Sequence, residues 1–211
     1  MFKSRRFWEL ASAGLIAACG WYGSIGAFHY LSGSFADLAR GFSLFTLYYT
    51  DLASVLIALV FTAIALGSKQ FAQRFWMGHV FVVAAIMFLM YWLFQGIDHF
   101  LSSPLSQKVA HLFLFPLVAG HFFLFKPDTP SRWRYVPYWT FWPSLYTFYA
   151  LLRGYLTGLY PYDQANFELQ GVFRVFGMVG LTILFSLVLG MVLVTWDKRW
   201  SRLRDREADG S

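Results

Sequence analysis

Three residue types in this chain invite a chemical reading: an acid, hydroxyls and imidazoles set inside long apolar runs. Asp51 stands in TLYYTDLASVLIALV, with Thr50 directly before it and Thr46 five residues earlier. His111 stands in VAHLFLFPLVAGHFFLF, five residues before Pro116. A hydroxyl next to an imidazole is the minimal pair for nucleophilic acyl transfer, the imidazole taking the proton as the oxygen attacks. Asp51 with His111 is instead the minimal protonatable pair of a transporter. His29 is a further imidazole at the end of the first apolar run, and Arg153 is the cation of the fifth.

Depth in a membrane decides which of these groups can meet. Of 211 residues, 58% are hydrophobic and 13% charged, far from the roughly 25% charge of a soluble domain. A soluble globular protein is thereby excluded. About 20 apolar residues cross a bilayer, and six such segments are expected, near 7–30, 45–66, 75–96, 109–125, 138–155 and 172–196. The fold class expected is an all-α polytopic membrane protein, with one transmembrane domain over 1–197 and a charged tail over 198–211 that frays from its helix.

The 17 Lys and Arg residues orient it, because cytoplasmic loops carry the excess. Six alternating spans put Lys3, Arg5, Arg6, Lys69, Arg74, Lys126, Arg132, Arg134, Lys198, Arg199, Arg202, Arg204 and Arg206 on one side, and only Arg40, Lys108, Arg153 and Arg174 on the other. Both termini are therefore expected in the cytoplasm. Short basic clusters between apolar runs read as juxtamembrane charge, not as a nucleic-acid surface. Ile16-Ala17-Ala18-Cys19 resembles a lipoprotein cleavage box, but Glu9 interrupts the apolar stretch before it and an uncleaved span is expected.

With this topology Thr46, Thr50, Asp51 and His111 lie at one level, just below the outer surface. His29 closes the first span and Arg153 the fifth on the same side, and Asp98, His99, Asp163 and Glu168 face them from loops. Thr46 and Thr50, four apart, share one face of a continuous helix. Arg153 or a tyrosine is a natural partner for Asp51. His79 and His121 belong to the opposite end, where the sequence offers no comparable set of carboxylates. Haem would need facing axial histidines at matched depth, and His111 and His121 point to different faces; no cofactor and no metal are expected. Trp8, Trp76, Trp133, Trp139, Trp196 and Trp200 read as an interfacial belt. Pro116 and Pro143 are expected to kink their helices, and Gly20, Gly23, Gly26, Gly177 and Gly180 to let helices approach closely.

HLFLFP (111–116), YWTFWPSLYTFYALLRGYLTGLYPYDQANF (138–167) and FTLYYTDL (45–52) together resemble the six-helix androgen-induced membrane protein family, whose animal members hydrolyse fatty acid esters of hydroxy fatty acids. The similarity runs over residues 40–197. Its most specific parts are the aromatic-Pro-x-x-Tyr run with the following Thr157-Gly158-x-Tyr160-Pro161-Tyr162, and the histidine five before a proline. The resemblance implies a threonine nucleophile near the start of the second helix and His111 as its base. Thr46 matches by its Phe-Thr context, and Thr50 by standing beside Asp51; Thr46 is the favoured of the two. Asp51 would orient His111 or water, and Arg153 or Tyr48 would stabilise the oxyanion. Arg153 would alternatively hold the substrate's free carboxylate. Tyr160, Tyr162 and His29 complete the substrate-binding set. A lipid substrate, a bacterial inner membrane and a possible homodimer follow from the same reading. The alternatives are a small transporter or binding protein for an amphipathic solute, using Asp51 and His111, or a scaffold without chemistry.

Overall fold

The structure, a computed structural model, describes residues 2–33, 37–125 and 130–209. Among the described residues there is no strand. The helices are α1 (Phe2–Ser32), α2 (Leu38–Phe45), α3 (Tyr49–Ala65), α4 (Arg74–Phe94), α5 (Gly96–Ser102), α6 (Leu105–Leu112), α7 (Leu114–Leu124), α8 (Val136–Thr157), α9 (Phe167–Gln170) and α10 (Val172–Asp209). Four of them, counting α6 and α7 as one, are long and apolar enough to cross a membrane, and α2 with α3 would add a fifth. α8 occupies the fifth expected segment as a 22-residue helix. Its Tyr, Thr, Pro and Arg residues break up the apolar run that such a crossing requires. An all-helical protein with several membrane-length apolar helices is what the fold establishes.

The second expected segment, 45–66, is not one helix. The sequence reads as one mainly apolar segment from Phe45 onwards, yet the helix is not continuous. Tyr48 is extended (φ −98°, ψ 134°), and α2 meets α3 at 93°. Thr46 therefore caps α2, and it shares no helical face with Thr50. Tertiary bonds hold this elbow: the Tyr146 hydroxyl donates to the Leu47 carbonyl at 2.8 Å, and Arg153 reaches Ser43 and Thr46 from α8.

Proline behaves differently in its two helices. Pro116 has no N–H for the Leu112 carbonyl, and the helix breaks at Phe113 between α6 and α7. α8 runs uninterrupted through Pro143. Between α4 and α5 the chain turns at Gly96 with φ +70°, a conformation that side chains with a Cβ rarely adopt. α10 does not fray after residue 197 but continues as helix to Asp209.

Close packing rests on α1. A Cβ on Gly20 would stand 2.9 Å from that of Ala58, and one on Gly23 3.1 Å from that of Ala110, so the small residues bring α1 against α3 and α6 as expected. Gly177 and Gly180 do not play this part: nothing lies within 4 Å of either Cβ position. Trp139 is not a belt residue either. It is fully buried, its indole N–H donates to the Phe75 carbonyl at 2.8 Å, and its ring lies against Gly78. A methyl at Gly78 would enter that ring. Gly78→Ala is expected to lower unfolding stability by about 1–3 kcal/mol, the usual cost of overpacking, measurable by thermal denaturation in detergent.

Candidate functional site

One end of the bundle encloses a cavity of about 520 Å³. α3 delivers Thr50 and Asp51 to it from its first turn, where an acidic side chain also faces the positive end of the helix dipole. α6 delivers Gln107 and His111, one turn apart on one face. The segment after α8 folds back to add Pro161, Tyr162 and Gln164. The remaining wall is largely apolar and comes from α4, α8 and α10.

His111 is buried and stacked flat on Tyr91, with ring centroids 3.6 Å apart and planes 19° from parallel. Its Nδ1 is buried without a hydrogen-bond partner. The Tyr91 hydroxyl meets the Ser103 hydroxyl at 3.4 Å. Asp51 is buried, 5% exposed, and no ion pair reaches it among the described residues. Thr50 and Tyr146 line the same cavity as Tyr162, whose phenol adds a further hydroxyl to it. Burial first, and the Asp51 carboxylate second, hold that hydroxyl above the ordinary tyrosine range, so it stays protonated and able to donate. Tyr48 stacks edge-on against Tyr162 at 6.1 Å and also lines the cavity.

No family model, curated protein or solved structure matches this chain. The site must be read from its own geometry.

Among the expected site residues, Thr50, Asp51, His111, Tyr48 and Tyr162 line this one cavity, and Thr46, Arg153, His29 and Tyr160 do not. The Thr46 hydroxyl donates to the Phe42 and Ser43 carbonyls at 3.0 and 3.1 Å and accepts from Arg153 at 3.1 Å. Arg153 is not the partner of Asp51. Its Nη1 donates to Thr46 and to the Tyr149 hydroxyl, its Nη2 to the Ser43 carbonyl and hydroxyl. It is a brace across the α2–α3 elbow. Arg153→Lys, which replaces a planar fork by a point charge, is expected to weaken the docking of α2 by about 1–3 kcal/mol, read as faster amide exchange over residues 38–48. His29 is exposed at the end of α1, beside Tyr30 and Leu31, which do line the cavity. Tyr160 covers Gly154 and packs on Phe167 at 6.3 Å.

Tyr91, Gln107 and Tyr146 also line the cavity, with no role expected from the sequence. Two of them carry a local signal: Gln107 stands four residues before His111, and Tyr146 is the tyrosine of the aromatic-Pro-x-x-Tyr run. Tyr91 gives no local signal, because its stacking on His111 joins α4 to α6. At the opposite end one buried carboxylate is held in place by its partners. Asp197 is buried in an ion pair with Arg74 at 2.9 Å and accepts the Ser131 amide at 2.7 Å. His121 meets the Ser12 hydroxyl at 2.9 Å in the same half of the bundle.

Proposed function

We propose that the protein is an intramembrane acyl-ester hydrolase whose nucleophile is Thr50 and whose general base is His111. What supports this is that a hydroxyl, an imidazole, a carboxylate and a protonated phenol line one mainly apolar cavity. In the reading, six helices span the bilayer with both termini in the cytoplasm, α8 being the fifth, because the basic residues divide thirteen to four between the two ends. The cavity then lies in the outer half of the membrane, within reach of water.

His111 accepts the Thr50 proton as the oxygen attacks the ester carbonyl carbon. The carbonyl oxygen becomes an oxyanion, for which the Tyr162 hydroxyl, in the same cavity as Thr50, is the donor on hand. The tetrahedral centre collapses, the alcohol leaves with the proton held by His111, and an acyl group remains on Thr50. Water, deprotonated by the same imidazole, releases the acyl group as a carboxylic acid and restores the threonine. Asp51 orients water or the imidazole. Thr46 is less suited to the nucleophile's role, since its hydroxyl already donates to two carbonyls of its own helix.

The deciding experiment compares hydrolysis of a long-chain acyl ester by the detergent-purified wild type, Thr50→Val and Thr46→Val. Thr50→Val, nearly isosteric, is expected to lose at least ~100-fold in turnover, while Thr46→Val stays within about threefold. Full activity in Thr50→Val would overturn the assignment. If Asp51→Asn alone were silent in a reconstituted flux assay, the transporter reading would take its place.

A further inference from the structure

The cavity carries an electrostatic signature that bears on its ligand. Among the described residues none of its lining side chains is Lys or Arg, and its one carboxylate is Asp51. The basic residues at this end are accounted for one by one. Arg153 spends both of its terminal nitrogens on Ser43, Thr46 and Tyr149. Lys108 donates to the Leu101 carbonyl at 2.8 Å and lies over the Phe100 ring. Arg40 and Arg174 are exposed. Besides Asp51, the polar groups that line the cavity are the imidazoles of His99 and His111 with amides, phenols and hydroxyls, Gln107, Gln164 and Tyr162 among them.

The deeper part is apolar. Along α10 the lining runs from Val175 to Thr182, about 10 Å at 1.5 Å per residue. Met178 and Val179 of α10 line it together with Met87 of α4 and Ala150 of α8. Even the hydroxyls at the bottom are withdrawn: Thr182 donates to the Met178 carbonyl at 3.0 Å and Thr147 to the Pro143 carbonyl at 2.7 Å. Each spends its O–H one turn back along its own helix. An acyl chain is met there by side-chain carbon.

We infer that the ligand is a single-chain acyl lipid with an uncharged head group, and that a free carboxylate is selected against. A volume of about 520 Å³ accommodates one chain and a small head, within the roughly 300–1,000 Å³ of ordinary ligand sites. An anionic head would enter a mostly apolar chamber with no Lys or Arg in its lining to meet it and a carboxylate already present. Amide and phenol groups suit hydroxyl and ester oxygens instead. This departs from a fatty acid ester of a hydroxy fatty acid, which bears a free carboxylate. The inference deepens the hydrolase reading, on which it rests for the ester, but its test does not need turnover.

The test is binding of two probes with one oleyl-length chain, monooleoylglycerol and the matching alkyl sulfonate, a permanent anion, followed by thermal stabilisation of the full chain in detergent. Monooleoylglycerol is expected to bind at least ~10-fold more tightly. Gln107→Arg, which brings a cation beside His111, is expected to reverse the order. Should that variant not fold, Asp51→Asn is expected to narrow the gap by removing the repelling carboxylate. Equal or tighter binding of the sulfonate by the wild type would overturn the inference. Selective binding of the neutral probe without hydrolysis would leave it standing while removing the hydrolase reading.

Discussion

Replacing His111 by Phe is expected to abolish ester turnover and at the same time to raise thermal stability. The two effects have separate causes. A phenyl ring keeps the flat packing on Tyr91, where the centroids lie 3.6 Å apart, but it cannot accept a proton. General-base catalysis contributes about 10²–10⁴ in rate, and a loss of that size is expected in turnover. The stability gain comes from Nδ1, which is buried with no hydrogen-bond partner. Such a group costs about 1–3 kcal/mol, and a ring of similar shape without it removes the cost. The site pays for its function with stability, as functional sites commonly do. Melting temperature and turnover, measured on the same preparation, check both halves. A merely structural His111 would show no rate loss. A variant that is more stable and fully active would show that the imidazole is not the base.

Much of the architecture was legible because the bilayer writes it in composition. A long apolar run with few charges has one stable outcome in lipid, a helix that satisfies its own backbone, so α1, α4, α6 with α7, and α10 fall where hydropathy places them. The elbow at 46–48 was not legible for the same reason. Hydropathy sees Phe45, Leu47 and the residues after Tyr49 as one apolar stretch, whereas the break depends on Tyr146 and Arg153, about a hundred positions away. That single break moved Thr46 from the expected site to the capping position of α2, and left Thr50 at the cavity.

The site shows the same division. Thr50, Asp51 and His111 were found as polar residues of one predicted depth, and one cavity holds all three. Depth, however, says nothing of direction around a helix. Arg153 has the right depth to face Asp51 and turns instead towards Ser43, Thr46 and Tyr149, where four side-chain or backbone acceptors fit its fork. Trp139 likewise has the depth of a belt residue, yet Gly78 on α4 opens room for it inside the bundle. Both errors arise from pairings between helices, which a single sequence does not record.

The largest stability effect is expected at the other end of the molecule. Arg74, at the start of α4, and Asp197, on α10, form an ion pair whose side chains are 3% and 1% exposed. The surroundings distribute the charge: Asp197 also accepts the Ser131 amide at 2.7 Å, and Arg74 donates to the Phe122 carbonyl at 3.4 Å with its guanidinium over the Phe122 ring. Four segments of the chain thus converge on one pair. Asp197→Ala would leave a buried guanidinium without its carboxylate and a buried amide without its acceptor. Breaking a buried pair in this way costs about 3–5 kcal/mol, a large share of the 5–15 kcal/mol that holds a typical domain folded. Replacing both members by apolar residues of similar volume, Arg74→Met with Asp197→Leu, is expected to recover most of that loss, because the carboxylate and the guanidinium then leave together. Denaturation of the wild type, both single variants and the double variant gives the coupling energy directly. Turnover measured well below the melting temperature should stay near the wild-type value in the double variant, since neither residue lines the cavity. A single variant as stable as the wild type would mean that the pair is not what joins α4 to α10.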